Sequence, residues 1–262
     1  MLKRLFKRNT HNLLFKYLAG FGRSINRMYE NSEHNMHYNG ELELIKKLGQ
    51  LKPKVIIDAG ANKGMYARYL AEHCPDAQIY AFEPVESTFE ILKEGLSAYS
   101  HVECIQQGLF SESCKKEINI FNSDTHSSLV DIQGLNQKFE NKENIQLIKG
   151  EEFTANYEIE EIDFIKMDIE GAEYEAMIGF EEMINTGKIR MIQFEYGYIN
   201  ITTKILLLDF YRFFKQRGYI IGKIFPKSVE FRKYEFKYEN FLGSNYVAIR
   251  EDDSELKNLL LS

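Results

Sequence analysis

Between residues 50 and 251 short apolar runs alternate with stretches whose apolar residues recur three and four positions apart. KVIIDAG reads as a buried strand from Val55 to Asp58, closed by Gly60, and GMYARYLAEHCP as a helix that begins near Gly64 and stops at Pro75. QIYAFEP repeats the strand pattern and ends in Glu83 and Pro84; VESTFEILKEGLSAY repeats the helical one, with Phe89, Leu92 and Leu96 on one face. HVECIQQGLF, IDFIKMD, IRMIQFEYG, YIIGKIFP and NYVAIR read as five more strands, giving a seven-stranded sheet in all. Parallel neighbours need helical crossovers, so this alternation predicts an α/β, doubly wound, mostly parallel sheet. Residues 111–160 are less regular, with KKEINIFN as an extra strand and SDTHSSLVDI as a polar loop.

The periodicity divides the chain into one α/β domain over residues 50–262, with a substrate-side insertion at 227–244, and a helical arm over residues 1–49. With 44% hydrophobic residues, the 262-residue chain can bury a substantial core. The formal net charge of −6 is unevenly spread: residues 1–29 carry seven Lys and Arg and no acid. An acidic main domain argues against nucleic-acid binding. Cys74, Cys104 and Cys114 form no CxxC pair, so neither a disulfide framework nor a zinc site is suggested, and a reducing, cytoplasmic compartment is expected. No run of about 18 apolar residues spans a membrane. In the arm, Leu13, Leu14, Phe15, Leu18 and Phe21 are interleaved with bases, as in an amphipathic helix lying on the inner face of a membrane. The same pattern fits a helix packed on the domain or against a second subunit of a homodimer, or an organellar targeting peptide.

Ligands of open α/β sheets bind beyond the carboxyl ends of the strands. The residues delivered there are Asp58, Glu83, Gln107 with Gly108, Asp168 and Glu195, and four of these five strand ends are acidic. DFIKMDIEGAE alone releases Asp168, Glu170 and Glu173 within six positions, an arrangement that calls for a cation, a proton or a hydroxylated ligand. The loop DAGANKG has the spacing D-x-G-x-x-x-G in place of GxGxxG, with Asp58 ahead of Gly60 and Gly64. Glu83 lies 19 residues beyond Gly64, near the offset at which an acid accepts ribose hydroxyls. Glycines, a ribose acid and no phosphate clamp fit S-adenosylmethionine, whose ammonium and sulfonium are cations.

VIIDAGANKGMYARYL, IYAFEPVESTFEIL, SSL, IDFIKMDIEGAEYEAMIGF and IRMIQFEY together resemble the FkbM-type methyltransferases over about residues 55–196. The resemblance implies a Rossmann-like class I methyltransferase fold and O-methylation of a sugar, polysaccharide or natural-product hydroxyl. It implies that Asp58, Gly60, Ala61, Asn62 and Gly64 shape the methionine pocket, that Glu83 and the following Pro84 hold the ribose, and that Gln107 and Gly108 lie beside the adenine. The arm and the insertion fall outside it, and substrate choice is expected there.

Methyl transfer to an alcohol needs the hydroxyl proton to leave. Asp168, which also borders the cofactor, is expected as general base, or with Glu195 as a ligand of Mg²⁺ that acidifies the hydroxyl. Strand alternation puts Phe164, Lys166 and Asp168 on one side, so Lys166 is expected to hold one of the acids ionised, or only to neutralise the cluster. His126 is the other candidate base. Ser127, Ser128, Glu170, Glu173 and Tyr196 are candidates for acceptor contact, although acids at a helix start are also favoured by the dipole alone. An NAD-dependent oxidoreductase shares the fold and Glu83 but needs the missing glycine spacing; a non-catalytic binding domain is the remaining alternative.

Overall fold

The computed structural model describes residues 10–121, 127–128 and 139–262. Its strands are β1 (Val55–Ala59), β2 (Gln78–Phe82), β3 (Val102–Ile105), β4 (Gly108–Phe110), β5 (Cys114–Phe121), β6 (Ser127–Ser128), β7 (Phe139–Lys149), β8 (Ile162–Met167), β9 (Ile189–Tyr196), β10 (Tyr219–Ile224), β11 (Val229–Phe231) and β12 (Ser244–Arg250). Eight of them form the central sheet, in the order β11-β10-β12-β9-β8-β1-β2-β3. β1 pairs in parallel with β2 and β8, β2 with β3, and β8 with β9, while β12 runs antiparallel between β9 and β10. This is the expected Rossmann-like, mostly parallel sheet. The eighth strand, β11, comes from the segment read as an insertion: Val229–Phe231 folds back antiparallel on β10 and extends the sheet edge.

Two apolar layers clamp the sheet because strand residues alternate between its faces. Ile57, Ile165, Ile192 and Phe194 pack on one side with Phe210 and Phe214; Ile56, Phe164, Met191 and Val247 pack on the other with Leu44, Ile45, Leu48 and Leu70. The helix Met65–His73 starts at Gly64, whose φ of +83° suits glycine, and buries Tyr66, Ala67, Leu70 and Ala71 on one face. The arm is divided by its packing. The helix Glu41–Gln50 buries Leu44, Ile45 and Leu48, each worth roughly 1.5–3 kcal/mol, and belongs to the core. The helix Leu13–Tyr29 buries no residue.

A second, four-stranded sheet, β4-β7-β5-β6, departs from the sequence expectation. HVECIQQGLF is two strands, since the chain bends at Gln106 and Gln107 and carries β4 out of the central sheet to pair with β7. β5 and β7 pair antiparallel from Cys114 opposite Leu147 to Phe121 opposite Phe139. Ile118, Ile145 and Leu147 form its apolar face with Val85, Phe110 and Ala172.

Candidate functional site

β1 is the switch point of the sheet, because the chain leaves it first toward β2 and β3 and later returns on its other side as β8 and β9. A cavity of about 700 Å³ opens at the carboxyl ends of these strands. One wall is the loop after β1. Gly60 N and Ala61 N both donate to Phe82 O, at 3.0 and 2.8 Å, folding the loop over the end of β2. Gly60 has a φ of +78°, and a Cβ there would collide with the carbonyl oxygen of Asp168. The glycine is therefore required by the approach of two loops to each other. Gly64 likewise leaves room for Leu92 and Leu96 and does not reach the cavity.

Glu83 ends β2 buried, at 7% exposure, yet its carboxyl lines the cavity. Its Oε2 accepts from Asn62 N at 3.1 Å and its Oε1 from Val85 N at 3.0 Å. Burial pushes this carboxyl up to about 7 despite those two donors. Opposite it, Pro84, Gly108 and Leu109 continue into an apolar wall from the second sheet, formed by Ile118, Ile120, Ile145 and Leu147.

The other end of the cavity is charged. Lys166 Nζ lies 3.2 Å from Asp168 Oδ2 and 3.7 Å from Asp58 Oδ1, and 4.7 Å from the centre of the Tyr66 ring. Burial opposes the ammonium charge, but Asp168, Asp58 and Glu41 outweigh it and raise the lysine above its ordinary value. Asp58 is wholly buried, and among the described residues neither of its oxygens accepts a hydrogen bond. Burial raises its carboxyl to about 6 against the pull of Lys166. Asp58 therefore does not reach the cavity; it acts on the site through Lys166. Asp168 is 41% exposed, and its backbone N donates to Ala59 O at 3.1 Å.

Of the residues singled out from the sequence, the structure brings Gly60, Ala61, Asn62, Glu83, Pro84, Gly108, Lys166, Asp168, Glu170 and Glu195 to one cavity. Asp58, Gly64, Gln107, Glu173 and Tyr196 do not line it. Glu173 turns back into its own loop, where Oε1 accepts from Ile169 N at 3.0 Å and Gly171 N at 3.1 Å. These bonds brace the turn in which Glu170 and Gly171 take positive φ. Tyr196 is 1% exposed and donates its hydroxyl to Glu239 beneath the site. Ser127 and Ser128 form the short strand β6 opposite Ile120 and Asn119, and His126 lies outside the described residues.

The residues present do not fit a divalent cation. Among the described residues no three His, Cys, Asp or Glu side chains converge as a metal site. Asp168 already faces an ammonium, and burial followed by the fields of Asp168, Glu170, Glu173 and Glu41 holds the Glu195 carboxyl well above the usual range.

Several lining residues were missed in the sequence. His34, Met36 and Glu41 come from the arm, and Tyr66 and Asn245 from within the domain. Glu41 Oε1 accepts from Gln193 Nε2 at 2.6 Å, and Gln193 Oε1 accepts from the Tyr66 hydroxyl at 2.8 Å, so a buried polar chain links the arm to β9. An isolated acid at a helix start carries no signal of such a role.

The chain is 28% identical over 156 residues to the methyltransferase sdnD of Sordaria araneosa, covering 48% of this chain and 60% of that protein. It is 24% identical over 155 residues to the 2-O-methyltransferase NoeI of Sinorhizobium fredii, covering 55% and 63%. The chain thus spans less than two thirds of the length of either relative. An rRNA methylase from Streptococcus thermophilus is similar in structure, with a TM-score of 0.44 and 12% identity over 79% of this chain and 94% of that one. Residues 58–221, more than half of the chain, match the family described as the methyltransferase FkbM domain, and the chain belongs to that family, with its Rossmann-like class I fold.

Proposed function

We propose that this chain transfers a methyl group from S-adenosylmethionine to a hydroxyl of a sugar or another polyhydroxylated acceptor. The observation that carries the reading is Glu83, whose carboxyl faces the cavity from the end of β2, fixed by Asn62 N and Val85 N. A carboxylate accepts about four hydrogen bonds, so lone pairs remain for two ribose hydroxyls. The other residues fit the same cofactor. Pro84, Gly108 and Leu109 offer an apolar seat for a purine, and the backbone of Gly60 to Asn62 a close wall for the methionyl part. Five carboxyl groups line the cavity, those of Glu41, Glu83, Asp168, Glu170 and Glu195, against the ammonium groups of Lys63 and Lys166. Carboxyl groups crowded in this way suit a cationic ligand, whose charge would favour their ionised forms.

The cofactor supplies the methyl group on a sulfonium that is a good leaving group. The protein's part is to orient the acceptor oxygen and receive its proton. Asp168 is the group assigned to that proton: it ends β8, is partly exposed to the cavity, and is held beside Lys166 Nζ. A hydroxyl acceptor agrees with the name of the relative NoeI, a 2-O-methyltransferase. The test is calorimetric titration with S-adenosylhomocysteine and with NAD, followed by transfer of labelled methyl from S-adenosylmethionine to a panel of glycosides. Saturable binding of S-adenosylhomocysteine and base-stable label on a hydroxyl are expected. Binding of NAD alone would return the chain to the oxidoreductases.

A further inference from the structure

The helix Leu13–Tyr29 buries none of its residues among the described ones. Asn12 caps it by accepting from Phe15 N at 3.0 Å. Leu14, Tyr17, Phe21 and Met28 are 64–74% exposed, although the rest of the chain buries residues of these types in quantity. At ~100° per residue, Leu13, Tyr17, Met28, Phe21, Leu14, Ile25, Leu18 and Tyr29 fall in one arc about 160° wide, broken only by Ser24. Lys16, Arg23 and Arg27 cluster within ~40° on the opposite side. Among the described residues none of these three bases is paired with a carboxylate.

The helix is nevertheless fixed to the body at one end. Glu30, its cap, accepts from Lys223 Nζ at 2.6 Å, and Lys223 is wholly buried. Asn31 Nδ2 donates to Asn39 O at 2.7 Å and Ile224 O at 2.9 Å, and Ser32 Oγ to Leu242 O at 2.5 Å. The segment anchored in this way then supplies His34 and Met36 to the cavity lining. The helix and the cavity are thus joined through one short anchored segment.

We infer that Leu13–Tyr29 lies in the interface of an anionic membrane, apolar arc down, and presents the cavity mouth to the lipid surface. Two observations favour lipid over a second copy of this chain. An arc about 160° wide exceeds the two-position seam that a paired helix buries, whereas a lipid interface wets a broad face. The helix and the residues before it carry seven bases and no acid, and the remainder of the chain, at −6 − 7 = −13, would be repelled by anionic lipid. The helix end of the molecule carries the charge suited to that surface. Each base near such a surface strengthens binding roughly fivefold, a contribution that salt screens.

The experiment is flotation of the full chain with vesicles of equal parts phosphatidylcholine and phosphatidylglycerol, and with vesicles of phosphatidylcholine alone. Two multiple variants accompany it, Leu14→Glu with Phe21→Glu, and Lys16→Glu with Arg23→Glu and Arg27→Glu. These side chains are exposed, so both variants are expected to keep the wild-type unfolding curve and affinity for S-adenosylhomocysteine. Wild type should float with the anionic vesicles and at least tenfold less with the neutral ones. The apolar-face variant should lose flotation altogether, and the basic-face variant its preference for anionic lipid. Absence of wild-type flotation, or flotation undiminished by Leu14→Glu with Phe21→Glu, would overturn the inference. So would a stable dimer that the same variant dissolves, which would give the face to a second copy.

Discussion

Lys166 holds its ammonium 3.2 Å from Asp168 Oδ2, so the partly exposed carboxyl at the end of β8 is tied to a cation that is itself buried. Among the described residues the same ammonium is the nearest positive charge to Asp58, which is wholly enclosed and accepts no hydrogen bond from them. One lysine thus offsets a carboxyl that cannot reach solvent and positions one that can. Removing one member of a buried charge set leaves the others uncompensated, typically at about 3–5 kcal/mol.

Lys166→Met should therefore lower stability by roughly that amount at pH 8, and by much less at pH 5. Asp58 stands at about 6 with the lysine present and must rise further without it. The folded variant then binds a proton that the unfolded chain releases, so its stability falls as pH rises from about 4 through that higher value. Urea unfolding of both proteins at the two pH values checks this. Equal deficits would assign the loss to packing alone.

Glu83 gives the cofactor site its own pH dependence. Its carboxyl lies near 7 because of burial, and the ionised form is the one that accepts two ribose hydroxyls. Affinity for S-adenosylhomocysteine should fall as pH drops below about 7, approaching tenfold per pH unit, and level off above it. Calorimetry from pH 5.5 to 8.5 measures the slope. Glu83→Gln should bind more weakly at high pH and show no such slope; a slope that persists would move the titration to another group.

The alternating strands and helices were legible because each buries an apolar face with its own period: β1 runs one residue beyond the expected Val55–Asp58, and β2 and β8 end two and one residues short of QIYAFEP and IDFIKMD. The strand-end acids Glu83, Asp168 and Glu195 were legible for the same reason, since topology alone delivers them to the cavity. The second sheet was not. β7 carries Glu140, Lys142, Glu143 and Asn144 among its apolar residues, and it pairs with β4 and β5 residues that lie 18 to 39 positions earlier, a pairing that no local pattern encodes. Asp58 and Glu173 were read as ligand-facing because sequence gives a position at a strand end but not the side chain's direction. One turns to Lys166 and the other to two backbone donors.

Gly60→Ala and Gly22→Ala should separate the two uses of glycine. Gly60 holds φ at +78° with the carbonyl oxygen of Asp168 where a Cβ would stand, and a backbone obstacle cannot swing aside. About 3 kcal/mol or more should be lost, together with binding of S-adenosylhomocysteine. Gly22 sits in the helix Leu13–Tyr29, and a Cβ there would meet nothing within 4 Å, so alanine should raise helicity and leave binding unchanged. Circular dichroism and thermal unfolding of both variants provide the comparison.

Glu173→Gln tests a carboxyl used as a brace. Burial raises it to about 7, above its ordinary 4.5, so the folded protein holds a proton through the window in which the unfolded chain loses it. Its contribution therefore declines as pH rises from about 4.5 to 7. Glutamine retains an oxygen for Ile169 N and Gly171 N and has no proton to lose. The variant should be more stable than wild type at pH 8 by on the order of 1–2 kcal/mol and should lose that advantage by pH 4.5. Unfolding across that range decides it, and a variant that is less stable at pH 8 would mean the carboxylate charge is needed by the two donors.

Asp168→Asn separates binding from chemistry. The carboxyl lies beside Lys166, lines the cavity, and is far less enclosed than Asp58, so an asparagine of nearly the same shape should keep the fold at a smaller stability cost than Lys166→Met. It cannot take a proton from an acceptor hydroxyl. Positioned proton transfer contributes about 10²–10⁴-fold, so turnover should fall by that factor while affinity for S-adenosylhomocysteine stays within about threefold of wild type. Labelled-methyl transfer together with calorimetry on the same preparation gives both quantities. Loss of binding in step with turnover would make Asp168 a cofactor ligand, and unchanged turnover would pass the proton to another group at the cavity, with Glu195 and His34, 3.9 Å apart on its far side, the next pair to alter.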